Sequence, residues 1–358
     1  MYQRKNKMAI LHPLECYLLE LYSSAEHYAA TRDAIIAWVE AHEAAYARLQ
    51  NELPVRIRKE PQWKQGDMVW GSRVLPNIRP DKDRYINAYI LRTQNDPKAF
   101  KIGHTMSNNT RGIVEFWDGW MTEQEQERID RTERLASSLD KKLTATIDGS
   151  WDEGHLTYLG QSSIYELAEL PKRIPRYELD HNVRIEKDEK PQQIGIYLPD
   201  VEFAAARLLY PGADFDKPPT AMQGTKRSEW VSEKTGERAY NWHDFTYAET
   251  GWTLIRRVEG EYIDVPAEGF FPKGEPDELY TWSEREKHFI SGDSEYITVW
   301  AGEQAPHAGE WSIYTQQGMQ YVTVNQGQSL PHWTDKHGLS NRVQWTLIKR
   351  ADGGSVYK

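Results

Sequence analysis

Trp252-Thr253-Leu254-Ile255-Arg256-Arg257 and Trp345-Thr346-Leu347-Ile348-Lys349-Arg350 are one phrase written twice: an aromatic residue, a β-branched residue, two branched aliphatics and two cations. Such runs, bounded by Gly, Pro and Asp, read as strands. The duplication admits two registers. In the first, Gly251 and Trp252, followed by Tyr262, Gly269 and Pro272 and closed by Trp282, match Gly309 and Trp311, followed by Tyr321, Gly327 and Pro331 and closed by Trp345. In the second, the two Trp-Thr-Leu-Ile phrases correspond and the earlier unit starts near Gly195. Both registers predict tandem antiparallel β-units.

Upstream, the periodicity changes. Leu14, Leu18, Leu21 and Ala25 recur at three- and four-residue steps, as do Ile35, Ile36, Val39, Tyr46, Leu49 and Leu53, which predicts two amphipathic helices. Thr31 or Asp33 is the expected cap of the second, and Pro54 its stop. One or two further helices are expected over 63–92, interrupted around Pro76 and Pro80. Thr122 and Glu125 form a capping box ahead of a charge-laced helix reaching about Leu143. After Asp148-Gly149 short β-branched and aromatic runs take over, such as Ile194 to Leu198 and Tyr296 to Trp300. Within them Asp200 to Leu209 reads as helix-like and Pro211 to Arg227 as a loop. The expectation is an α+β chain: a helical domain over 8–149 and a β-rich domain of tandem Trp-containing repeats over 150–358.

Charge divides along the same line. Residues 1–150 hold 22 Lys and Arg against 21 Asp and Glu, and residues 151–358 hold 22 against 33, so a net charge of −10 resolves into +1 and −11. An acidic half repels nucleic acid and anionic membranes, steers basic partners inward and also serves ordinary solubility. The basic start of the chain runs into no uninterrupted apolar stretch, because Glu15, Glu20 and Glu26 break it, so neither a secretory signal nor a membrane span is expected. One cysteine, Cys16, leaves no intramolecular disulfide framework and suits a reducing cytoplasm. It reads as a small apolar helix residue.

Chemistry finds no anchor. The eleven histidines are scattered, and His42-Glu43 lacks a second histidine four residues on, where Tyr46 stands. His332 and His337 look like loop residues, and no Gly-rich phosphate loop or Gly-x-Ser-x-Gly elbow occurs. Carboxylate pairs such as Glu284 and Glu286 are what any acidic protein offers. No catalytic residue, cofactor or metal is therefore expected, and the chain reads as a binding protein rather than an enzyme. The repeated tryptophans admit a carbohydrate-binding β-module in which rings stack on sugars, but their periodic placement favours a core role.

Several phrases resemble one family. Gly195-Ile196-Tyr197-Leu198-Pro199-Asp200-Val201, the Lys217-Pro218-Pro219 to Ala221 stretch, Trp252-Thr253-Leu254-Ile255 after Thr250-Gly251, and Gly309 to Pro331 are similar to the immunity protein 71 and 72 families of bacterial polymorphic toxin systems linked to type VI secretion. Trp70-Gly71-Ser72 resembles their helical half. The resemblance implies a cytoplasmic antitoxin that binds a cognate effector toxin and blocks its active site, with no catalytic residue to carry over. A nuclease is the expected target, since a phosphate-gripping basic surface complements an acidic domain. Charge clustering then makes Asp152, Glu153, Glu275, Asp277 and Glu278 the candidate toxin-binding residues.

Overall fold

A computed structural model describes residues 8–52, 55–156, 171–212, 218–231, 238–266, 270–271, 297–315, 318–334, 340–341, 343–354 and 356. Helices occupy the chain to residue 148: α1 (Pro13–Tyr22), α2 (Ala25–Glu52), the single turn α3 (Gly66–Val69), α4 (Leu75–Thr93), α5 (Thr105–Ile113) and α6 (Glu123–Asp148). The cap of α2 lies earlier than Thr31 or Asp33. Ser24 Oγ accepts the His27 N–H at 3.1 Å, whereas Thr31 donates to the His27 carbonyl within the helix and Asp33 pairs with Arg32. Thr122 and Glu125 do form a capping box, and Gly149 at φ 64° closes α6. The prolines do not interrupt α4. Pro76 and Pro80 are both carried within α4, which continues directly from a π-turn at Trp70–Val74. Trp38, Trp70, Leu75, Ile78, Tyr85 and Leu143 share the bundle core.

The remaining described chain is antiparallel sheet: β1 (Arg173–Ile185), β2 (Gly195–Pro199), β3 (Arg207–Leu209), β4 (Thr220–Val231), β5 (Arg238–Glu249), β6 (Trp252–Asp264), β7 (Thr298–Trp300), β8 (Gly309–Thr315), β9 (Gly318–Val324), β10 (Trp333–Thr334), β11 (Ser340–Asn341) and β12 (Gln344–Arg350). Two four-stranded sheets have the orders β1-β6-β2-β3 and β7-β12-β8-β9, and a separate two-stranded hairpin, β4-β5 or β10-β11, falls between the third and last strand of each. This is one topology built twice, in the second of the two registers.

Side-chain detail agrees. Leu254 lies opposite Tyr197, and Leu347 opposite Trp311. A Cβ on Gly195 would lie 2.5 Å from Leu254 Cδ1, and one on Gly309 3.1 Å from Leu347 Cδ1. Trp252 Nε1 donates to the Pro219 carbonyl at 3.2 Å and Trp345 Nε1 to the Pro331 carbonyl at 2.8 Å, each just ahead of its unit's hairpin. Trp252 and Trp311 are therefore not counterparts, and the equal spacing that suggested the first register is coincidental. Gly269, Pro272 and Trp282 of that register lie outside the described residues.

Asp200 to Leu209 is not helical. Asp200 N–H bonds the Gly251 carbonyl, Ala204 bridges Gln223, and β3 occupies the end, so sheet pairing overrides local propensity. Part of the expected loop over 211–227 is β4.

Tyr197 and Trp252 pack with Ala204, Leu209 and Ala221 on one face of the first sheet. Trp311, Trp345 and Leu347 do the same in the second unit with Ile313 and Val324. The opposite face of the first sheet receives α1: Leu14, Leu18 and Tyr22 meet Ile174, Tyr177, Ile196, Leu198 and Ile255. Glu20 at the edge of that contact accepts from Tyr177 Oη at 2.5 Å and Arg257 Nε at 2.7 Å. In the second unit the positions of Ile196 and Leu198 are held by Glu310 and Ser312, so those two apolar side chains have no counterparts on that face.

Candidate functional site

The largest difference between the two units is the hairpin. β10 and β11 are two residues each, and β4 and β5 are 12 each, about 40 Å of ribbon at the usual strand rise. An isolated two-stranded ribbon is marginal in water, so its root has to hold it. Arg207 spans the junction with the bundle, donating to the Thr220 carbonyl and the Asp148 carbonyl, both at 3.0 Å. Gln223 Nε2 donates to the Glu202 carbonyl at 2.9 Å, and Gly224 N–H to the Phe203 carbonyl at 2.8 Å. Trp242 lies across Gly224, where a Cβ would come 2.3 Å from the indole, and meets the Phe203 ring at 5.5 Å. Phe203 holds φ 59°, a left-handed conformation costing roughly 1–2 kcal/mol for a non-glycine residue, which these root contacts offset.

The same stretch of the ribbon also carries large side chains into solvent. Phe245, opposite Gly224, is 40 % exposed, and Tyr247, opposite Met222, is 71 % exposed. Alternation puts both rings on one face. Exposed aromatic side chains, with large contact area and few rotatable bonds, are what protein contact surfaces concentrate, and Tyr247 adds a hydroxyl. In the sequence the only trace is the aromatic run over Tyr240 to Tyr247, which does not distinguish an exposed arm from a buried strand.

The acidic candidates lie elsewhere. Asp152 Oδ1 is 2.6 Å from His155 Nδ1. Glu153 is 3 % exposed, so its carboxylate faces the interior beside Glu15 of α1 rather than a partner. Burial, then the neighbouring Glu153 charge, pushes the Glu15 carboxyl up to about 8, opposed by the Gly154 N–H that it accepts at 2.9 Å. Glu275, Asp277 and Glu278 lie outside the described residues, as do His337, Glu284 and Glu286.

A second buried polar cluster ties α4, α5 and α6 together. Tyr85 donates to Asp140, while Asn109 at 2.6 Å and Arg84 at 3.1 Å donate to Asp81. Burial pushes Asp140 up to about 6. His42 accepts from Trp70 Nε1 at 3.3 Å in the bundle core, and burial lowers it to about 4, so it is a neutral core residue. Glu43 pairs with Arg79 and Lys82. Cys16 is a buried residue of the α1 contact.

Among the described residues no group of three or more His, Cys, Asp or Glu is placed to hold a metal ion, and no helix is long and apolar enough to cross a membrane. Comparison with family models, with curated proteins and with solved structures yields no match. The resemblance to immunity proteins rests on its phrases alone.

Proposed function

We propose that this chain is a cytoplasmic immunity protein, an antitoxin that binds a cognate type VI-secreted antibacterial toxin and occludes its active site stoichiometrically, and that the target is a nuclease. One observation supports the reading above the others: two solvent-facing rings, Phe245 and Tyr247, near the base of a hairpin with 12-residue strands whose counterpart in the other unit has two-residue strands. The net −11 of residues 151–358 supports a target with a basic active-site surface. The sugar-binding alternative needs tryptophan rings in solvent, and the described repeat tryptophans Trp252, Trp311 and Trp345 are buried.

The test is a growth assay with the toxin candidate encoded beside this chain, expressed with and without it, coupled to co-purification. Rescue and a stable complex are expected, both reduced by Phe245→Ser with Tyr247→Ser. Absence of rescue and of a complex between folded proteins would refute the immunity reading, and a complex indifferent to the double substitution would remove the arm from it.

A further inference from the structure

Another exposed aromatic surface lies on the helical half, where Trp63, from the segment between α2 and α3, meets Trp117, from the segment between α5 and α6. Trp63 is 60 % exposed and Trp117 is 36 % exposed, and Lys64 Nζ stands 5.1 Å from the first ring centroid and 5.3 Å from the second. A lysine shared by two indole faces fixes their separation through cation–π attraction. The surroundings hold the rings outward. Gly119 lets the Trp117 indole lie against its backbone, where a Cβ would come within 2.6 Å, and Gly66 does the same for the buried Trp120, which meets Trp70 at 5.2 Å in the core. Arg58 folds the segment back, donating to Asp67 at 2.6 Å and to Gln65 at 3.0 Å, while Gln65 Nε2 donates to the Glu60 carbonyl at 2.8 Å.

The Trp63 side of this surface is basic: residues 54–74 carry Arg56, Arg58, Lys59, Lys64 and Arg73 against Glu60 and Asp67, five cations to two carboxylates, while Glu115 and Asp118 flank Trp117. Arg56 and Lys59 are exposed and make no ion pair with any described residue. Arginine and tryptophan are the residues that most often carry binding energy when a partner desolvates them, and unpaired cations beside them select a partner of opposite sign.

We infer that the Trp63–Lys64–Trp117 surface, with Arg56 and Lys59 a few residues before Trp63 in the chain, is a second toxin contact, and that the part of the toxin seated on it is acidic with an apolar centre. This rests on the immunity reading. It adds a docking point of opposite sign, so that one toxin is held by an acidic β-half and by a basic aromatic patch on the helical half.

The experiment is a calorimetric titration of the full chain with the toxin that passes the rescue test, comparing wild type, Trp63→Ala with Trp117→Ala, and Arg56→Glu with Lys59→Glu. All four positions are exposed, and unchanged thermal melts confirm folding. A loss of affinity of at least tenfold is expected for the tryptophan pair. For the charge reversal, a comparable loss is expected at low salt, shrinking as salt is added. Wild-type affinity in both variants overturns the inference while leaving immunity standing, whereas failure of the wild-type chain to bind overturns both. A fluorescein-labelled single-stranded oligonucleotide is titrated in parallel. Binding that the tryptophan pair abolishes would overturn the inference in favour of base stacking on the two indoles.

Discussion

Glu15→Gln is expected to stabilise the protein, and by an amount that grows with pH. Glu15 lies in α1, buried against Glu153, with its carboxyl pushed by burial up to about 8 from an ordinary 4.5. Between those values the unfolded chain has released the proton and the folded chain still holds it. Each pH unit in that window therefore removes about 1.4 kcal/mol of stability, and the full window roughly 4–5 kcal/mol. Glutamine does not titrate, keeps an oxygen for the Gly154 N–H and presents an N–H toward Glu153. The stability difference, variant minus wild type, should be smallest near pH 4.5, rise through neutrality and level off above about pH 8. Urea unfolding followed by tryptophan fluorescence at pH 5, 6, 7 and 8 measures it. The buried histidines His12, His27 and His42, lowered chiefly by burial to about 3, 4 and 4, titrate in both proteins and cancel in the difference. A difference that is flat with pH, or a variant less stable at pH 8, would refute the placement of Glu15 as a buried acid.

Gly309→Ala should unfold the second β-unit selectively, because a Cβ there would lie 2.1 Å from the Lys349 carbonyl oxygen, which is backbone and cannot swing aside. A loss of several kcal/mol is expected, read as early exchange of the amide protons of β8 and β12 while the α2 amides stay protected. Trp252→Phe and Trp345→Phe each remove one indole hydrogen bond to a proline carbonyl and shrink a buried ring, and should lower stability by a similar 1–3 kcal/mol in denaturant titrations. A large effect at one position and none at the other would contradict the equivalence of the two units.

The α+β division was legible because its signals are local: three- and four-residue steps ahead of Gly149, β-branched runs after it. The duplicated Trp-Thr-Leu-Ile phrase also marked the two last strands correctly. What misled was length. The hairpin inserted before Trp252 has 12-residue strands and the one before Trp345 has two-residue strands, so true counterparts are unequally spaced and unrelated residues fall at equal intervals. Ser24 was passed over as a cap because Thr31 and Asp33 also offer capping oxygens, and only the backbone decides which N–H is free. Glu153 read as an acidic surface residue because nothing in the run Ser150 to His155 says that α1, more than a hundred residues earlier, closes over it. The lysine between Trp63 and Trp117 joins residues too far apart for any periodicity to connect.

The seating of α1 on the first sheet has a consequence for synthesis. Glu20 is bound by Arg257, 237 residues later. At roughly 5–20 residues per second, the ribosome finishes the strand that α1 needs about 12–50 s after α1 itself has been made. During that interval α1 has Trp151 and the residues of β1 and β2 to meet, but the Ile255 part of its seat and the Arg257 partner of Glu20 are still missing. The last strand of the first unit, which lies between β1 and β2 in the sheet, is thus also the step that completes the seat of the first helix.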